Sequence, residues 1–160
     1  MGYPKMQKKK YNKPKKPFDK DRIESEKKIL KTFGLSRKHE IWRAESIIRN
    51  YRRRAREIQA SSDTSAEKTL MNKLETMEMG CSNLDDVLSL NVENILSRRL
   101  QTIVYKKGLS NTIKHSRQMI VHGHIKVNNK KVKWPSYIVK KTDKIELVRP
   151  IGNKNNGVSE

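Results

Sequence analysis

The chain has 160 residues, with 37 Lys or Arg against 17 Asp or Glu, and so carries a formal net charge of +20. Apolar residues make up 34% and charged residues also 34%, where an ordinary domain has about 25% charged; this supports one small core, or two of about 60–70 residues each, with solvated or polyanion-bound extensions. No run approaches the ~20 apolar residues of a membrane span, no apolar stretch follows the basic start as a secretory signal requires, and one cysteine, Cys81, rules out an internal disulfide and a Cys-rich zinc module. The expected class is a soluble, intracellular binder of polyanions.

The charge is segregated along the chain. Residues 1–20 carry 8 basic and 1 acidic residue, residues 21–60 carry 12 and 6, residues 61–94 carry 2 and 7, and residues 95–160 carry 15 and 3. Two basic blocks flanking an acidic one imply two binding surfaces and one region that faces away from the polyanion, toward solvent or a protein neighbour.

Residues 1–20 place Pro4, Pro14 and Pro17 among eight lysines. Proline spacing and self-repulsion forbid a packed helix, so this reads as a disordered basic arm that orders against a partner. Lys8, Lys9 and Lys10 would meet phosphate, and Tyr11, with Tyr3 and Phe18, supplies rings able to stack on exposed bases. From Asp21 the pattern turns helical as far as Gly34, a C-cap glycine. A longer helix follows from about Lys38 to Ala60, with the apolar stripe Ile41, Ala44, Ile48, Tyr51, Ala55 and Ile58 stepping by three and four. Arg49, Arg53 and Arg56 fall on one flank of that stripe and Arg43 and Arg54 on the other. Five guanidinium forks on one helix form a comb matched to phosphate oxygens.

Residues 61–65 read as a loop. Thr64 and Glu67 have capping-box spacing for another helix, with Leu70, Leu74 and Met77 inward and Gly80 at its end. Leu84, Val87, Leu88 and Leu90 then bridge into the basic half. Asn91 opens a helix to Lys107, with Leu96, Leu100 and Ile103 inward and Arg98 and Arg99 off the stripe. The turn Gly108-Leu109-Ser110-Asn111 leads to a second helix from about Thr112 to His122, whose core face is Ile113 and Ile120. Lys114, His115, Gln118 and His122 lie opposite with Arg117 on the flank, a surface of cations and donors suited to phosphate and sugar. The period then switches to two: 124–127 and 130–133 alternate around Asn128-Asn129, a type I′ turn pair, followed by short strands at 137–139 and 145–148. The organisation read from this is an arm (1–20), a helical N-terminal domain (21–90), an RNA-binding domain (91–150) and a flexible tail (151–160), in an α+β fold with a helix–turn–helix packed on a small twisted sheet.

The run from Gly108 to Val139 resembles the RNA-binding domain named after the small-subunit ribosomal protein S-four, through Arg98-Arg99-Leu100, Gly108-Leu109, Arg117-Gln118, Gly123-His124, Val127-Asn128 and Pro135-Ser136. Residues 8–23, 39–60 and 84–107 are in turn similar to the archaeal form of that protein family, so the resemblance covers most of the chain. It departs at Asn129, where the family usually has Gly, and at Ile113, where bacterial relatives commonly carry Arg; the first is tolerable because Asn visits left-handed backbone, and the second removes a phosphate contact and leaves a core-like position. The resemblance implies a cytoplasmic protein of the small ribosomal subunit, monomeric there, that binds small-subunit rRNA at a multi-helix junction of the 5′ domain. It also implies an early assembly role, a contribution to translational accuracy, and a place on the messenger-entrance side beside the S-five protein and other small-subunit proteins. The RNA-binding set expected is Lys8, Lys9, Lys10, Tyr11, Arg43, Arg49, Arg53, Arg54, Arg56, Arg98, Arg99, Ser110, Asn111, Lys114, His115, Arg117, Gln118, His122, His124, Lys126, Asn128 and Lys131.

No cofactor, metal, membrane or small-molecule substrate is expected. His115, His122, His124 and Cys81 are the candidate soft ligands considered, and they lack the converging spacing of a zinc site. No nucleophile motif or phosphate loop appears. A pseudouridine synthase carrying this RNA-binding module would need a catalytic domain for which no room remains. A stand-alone RNA-binding stress protein of the same domain is the alternative; the long N-terminal half argues against it.

Overall fold

The structure, a computed structural model, describes residues 10–61 and 63–148. Seven helices among these residues run α1 (Lys20–Thr32), α2 (Lys38–Ser61), α3 (Thr64–Thr76), α4 (Leu84–Ser89), α5 (Val92–Ser97), α6 (Leu100–Lys106) and α7 (Ile113–Val121). Three strands, β1 (Ile125–Val127), β2 (Lys130–Lys131) and β3 (Ile145–Leu147), form an antiparallel sheet in the order β2-β1-β3. The fold is α+β. Residues 1–9, 62 and 149–160 lie outside the described residues, and with them the expected tail (151–160) and Lys8, Lys9 and Tyr3.

The stripe on α2 buries as its spacing dictates: Ile41, Ala44, Ile48, Tyr51 and Ala55 are all buried. They join Leu70 and Leu74 of α3, Val87 and Leu90 around α4, and Ile95 and Leu96 of α5 in one apolar core. A second core collects Leu100, Ile103 and Val104 of α6, Met119 and Ile120 of α7, Ile125 and Val127 of β1, Val132 and Val139. Helix α5 therefore packs with the N-terminal helices, although it lies beyond residue 90.

Five local expectations are corrected. The helix expected from Asn91 to Lys107 is broken: Arg99 takes an extended backbone (φ −69°, ψ 143°) between α5 and α6. The segment around Ile138 fills the gap, with the Leu100 amide donating to the Tyr137 carbonyl (2.7 Å) and the Val139 amide to the Arg98 carbonyl (3.0 Å). For that reason 137–139 is no sheet strand; Ile138 makes a single bridge to Arg99. The N-cap of α3 is Asp63, whose carboxylate accepts from the Ser65 and Ala66 amides, so Thr64 and Glu67 form no capping box. Residues 84–89, read as a bridge, are a helix with its own capping box between Asn83 and Asp86. Ser116 and Met119 join Ile120 on the buried face of α7, while Ile113 is only half-buried.

The hairpin forms as expected. Val127 faces Lys130 across a two-residue turn in which Asn128 (φ 49°) and Asn129 (φ 66°) are both left-handed, the geometry of type I′. Asn128 is anchored further: its amide donates to Asp143 (2.8 Å) and its side-chain oxygen accepts from the Lys144 amide (2.9 Å).

Candidate nucleic-acid interface

Helix α2 keeps its hydrophobic side against the core, which forces its remaining residues outward. Arg43, Arg49, Arg53, Arg54 and Arg56 are all exposed. Among the described residues only Arg53 has an ion-pair partner, Glu57 at 3.7 Å, and both groups are largely in solvent, where such a pair contributes little. A sixth guanidinium, Arg52, half-buried, donates to the Leu90 carbonyl at 2.5 Å and is thereby aimed along the groove beside α5. Sequence reading passed over it because its angle on the helix wheel places it near the buried stripe.

Residues 10–19 carry neither helix nor strand, as proline spacing requires, but they are held against the body. Tyr11 packs on His39 and Trp42, with ring centroids 5.1 and 5.9 Å away. Tyr11 is half-buried and so held to the body of the protein by these rings. Arg22 donates to the Lys16 and Pro17 carbonyls and to Glu26. Glu26, buried, also accepts from the Trp42 indole N–H at 3.0 Å. Burial alone would raise its pKa; the hydrogen bonds from Trp42 and Arg22 and the charge of Arg22 outweigh it and leave the carboxyl below its ordinary value.

In the C-terminal half the basic residues divide. Lys114, Gln118 and His122 are exposed along α7, Asn111 is exposed in the turn before it, and His115 is half-buried. Lys131 is exposed on the hairpin, and His124 and Lys126 are half-buried. His122 and His124 lie with ring centroids 6.4 Å apart. These residues remain an open cationic and hydrogen-bonding surface.

Five members of the expected set are instead occupied inside the protein. Arg99 is 5% exposed and paired to Glu40 of α2. Arg117 donates to both Glu40 oxygens, at 3.1 and 3.3 Å, and to Gln101. Arg98 pairs with Glu78 at 2.5 Å. Ser110 is buried, sharing a hydrogen bond with Ser116, and Asn128 is spent on holding the hairpin to Asp143 and Lys144. In the free protein Arg99 and Ser110 are buried and Arg98, Arg117 and Asn128 hold protein partners, so these five differ from the open residues of the expected set. Glu40 sits between two guanidiniums: burial pushes its pKa up, but the hydrogen bond from Arg117 and the charge of Arg99 prevail and hold it below the usual range.

Beside Glu40, Gln101 donates to the carbonyls of Phe33, Gly34 and Ile113. Gly34 (φ +57°) comes so close that a Cβ there would stand 2.7 Å from Ile113 Cγ2. Glu40, Gln101 and Gly34 therefore lock the two cores face to face.

Sequence reading also passed over Trp134, 69% exposed beside Lys133. A large aromatic left in water among lysines suits base stacking, and its place directly before Pro135 was the available signal. Among the described residues no three His, Cys, Asp or Glu side chains gather as a metal site, and no helix is long and apolar enough to cross a membrane.

Two comparisons bear on this surface. The S4 domain family matches residues 98–145, from Arg98 to the start of β3. The chain is 49% identical over 150 residues to "Small ribosomal subunit protein uS4" of Picrophilus torridus, covering 89% of this chain and 82% of that one. It is 46% identical over 165 aligned positions to the protein of the same name from Methanococcus maripaludis strain C5, covering 97% and 93%. With that of Methanococcus aeolicus the identity is 45% over 145 residues, covering 87% and 82%.

Proposed function

Since the chain belongs to the uS4 family of small-subunit ribosomal proteins, in its archaeal form, we propose that it is a structural component of the small ribosomal subunit that binds small-subunit rRNA directly and holds a multi-helix junction in its native geometry. The observation that carries this is the state of the α2 arginines: Arg43, Arg49, Arg54 and Arg56 are exposed and make no ion pair among the described residues. Four guanidiniums without carboxylates, on a helix fixed by a full apolar stripe, are a phosphate surface waiting for its ligand. The exposed face of α7 and the hairpin lysine Lys131 supply a second such surface. The role is structural, not enzymatic.

At finer grain, the reading includes the 5′-domain junction, an early place in assembly, a contribution to accuracy, and the S-five protein among the neighbours; the family resemblance supports these. Recognition is by charge and shape, because the deep major groove of A-form RNA closes base edges to side chains while junctions splay bases and phosphates. The test is a salt titration of the purified protein against a junction fragment of small-subunit rRNA and a plain duplex of equal length. With about eight phosphates neutralised, log affinity against log salt falls with a slope of roughly −5 to −7, and the junction binds more tightly. Equal affinity for the two RNAs would leave only a general polycation.

A further inference from the structure

Between α2 and the start of α5 runs a groove of about 480 Å³, within the roughly 300–1,000 Å³ of pockets that hold a small ligand. Its floor is apolar, made of Ile48 and Val92. Its wall is one face of α2: Glu45, Arg49, Arg52 and Arg56 follow one another at steps of four, three and four, so they rise in line along the helix. The groove thus holds three cations and one carboxylate.

That carboxylate is the unusual group. Glu45 is half-buried, Arg49 is one helical turn away, and yet among the described residues Glu45 makes neither an ion pair nor a side-chain hydrogen bond. Burial, together with the neighbouring charge of Glu26, pushes its pKa up. On the same wall, about two turns along α2, the Arg52 Nε is buried without a hydrogen-bond partner, although the same guanidinium is fixed through the Leu90 carbonyl. The buried Arg52 donor without a partner costs stability, and the Glu45 carboxylate, partly open to solvent and paired to no cation among the described residues, stands in the same groove; together they suit a ligand that carries both an anion and a pair of donors.

We infer that this groove takes one splayed-out guanine nucleotide of the bound RNA, with the base edge read by Glu45 and the flanking phosphate held by Arg49, Arg52 and Arg56. This rests on the RNA-binding reading above and names the base it would select. The chemistry singles out guanine. Its Watson–Crick edge presents two adjacent donors, N1–H and the N2 amino group, which match the two oxygens of a carboxylate. Adenine and cytosine each place a ring acceptor beside their single amino donor, and uracil flanks its one N–H with carbonyl oxygens, so each sets a lone pair against the carboxylate. A protein lysine or arginine would also pair with Glu45, but it would have to enter a groove already carrying a net positive charge. Arg49 also lines a neighbouring basin of about 230 Å³ with Lys10, Asn12 and Asn50, which gives the strand a path out of the pocket.

The experiment measures binding of the full chain to single-stranded RNA octamers of uridine carrying one central guanosine, inosine or adenosine, by fluorescence anisotropy at fixed salt. Inosine lacks only the N2 amino group and needs no protein variant. The guanosine octamer is expected to bind about tenfold more tightly than the inosine octamer, the scale of a lost buried hydrogen bond at a built site. Glu45→Gln brings the three octamers within about twofold of one another, whereas Arg56→Gln weakens all three together; circular dichroism checks that both variants fold. Equal binding of guanosine and inosine by the wild type overturns the inference, as does no octamer binding or a guanosine preference that survives Glu45→Gln. A parallel arm with the junction fragment of small-subunit rRNA separates the two readings. Tight binding of that fragment without guanosine preference removes the pocket alone, and failure to bind it removes the rRNA reading as well.

Discussion

On α2, Arg43, Arg49, Arg54 and Arg56 stand in solvent without ion-pair partners among the described residues, whereas in the C-terminal half Arg98, Arg99 and Arg117 are each held by a glutamate from the N-terminal half. The chemistry of the side chains is the same; the difference is what the fold sets opposite them. Glu40 projects from α2 toward the C-terminal core, and Glu78 lies in the acidic stretch after α3. Arginines next to a carboxylate-bearing neighbour have become joints between the cores, and arginines on a helix face with nothing opposite have stayed available. The acidic segment, expected to face away from the polyanion, toward solvent or a protein neighbour, in part packs on the chain's own C-terminal half: Glu78 pairs with Arg98, Glu75 lies 4.0 Å from Lys141, and the Thr76 carbonyl accepts from the Lys141 amide.

The sharpest way to break this contrast is to remove Glu40. Glu40→Ala leaves Arg99 buried and uncompensated, and losing one partner of a buried pair costs about 3–5 kcal/mol. Urea unfolding should show that loss as a lower midpoint. A change under about 1 kcal/mol would mean that the Glu40 joints are incidental. Next in size is Ile120→Ala. Ile120 is fully buried in the second core, so the truncation costs about 2–4 kcal/mol while leaving the salt slope of RNA binding unchanged. A changed slope with full stability would place that helix face in the wrong role.

The same joint sets a pH dependence. Glu40 and Glu26 both have folded-state pKa values below the ordinary 4.5. Groups shifted in that direction stabilise the fold fully above the unfolded value and lose the contribution as pH falls through the folded one. Stability should therefore hold from neutral pH down to about 5 and decline below it, and Glu40→Gln should flatten that acid limb. Glu45, shifted upward, works in the opposite sense: its contribution is present at low pH and fades as pH rises through its folded value. An acid limb unchanged in Glu40→Gln would show that other carboxylates carry it.

Much of the architecture was legible in the chain because the signals were local. The α2 stripe, the left-handed pair Asn128-Asn129 and the glycine after α1 each constrain their own neighbourhood, and each appears where its pattern puts it. Contacts far apart in sequence were not legible. Arg99 lies 59 residues from Glu40 and Arg117 lies 77, and no periodicity announces such pairs. The helix break at Arg99 was hidden for the same reason: its freed backbone groups are satisfied by Tyr137 and Val139, nearly forty residues on. At the candidate interface, exposure along α2 followed from the stripe alone. The occupation of Arg98, Arg99, Arg117 and Asn128 depended on tertiary partners that a linear reading cannot supply.

The smallest effect sharpens the contrast most finely, because it counts free cations. Each phosphate contact adds about −0.7 to −0.9 to the slope of log affinity against log salt. Arg53 and Arg56 are both exposed, so replacing both with Ala should make the slope shallower by about 1.4 to 1.8. From α7, the pair Lys114 and Arg117 has the same formal charge, but only Lys114 is free; Arg117 is committed to Glu40 and Gln101. Replacing both there should change the slope by only about 0.7 to 0.9, with a modest loss of stability from the weakened Glu40 joint. A full two-charge change from the α7 pair would show that Arg117 leaves Glu40 for phosphate when RNA binds. The joint between the cores would then open on binding, and the division of arginines into structural and available would hold only for the free protein.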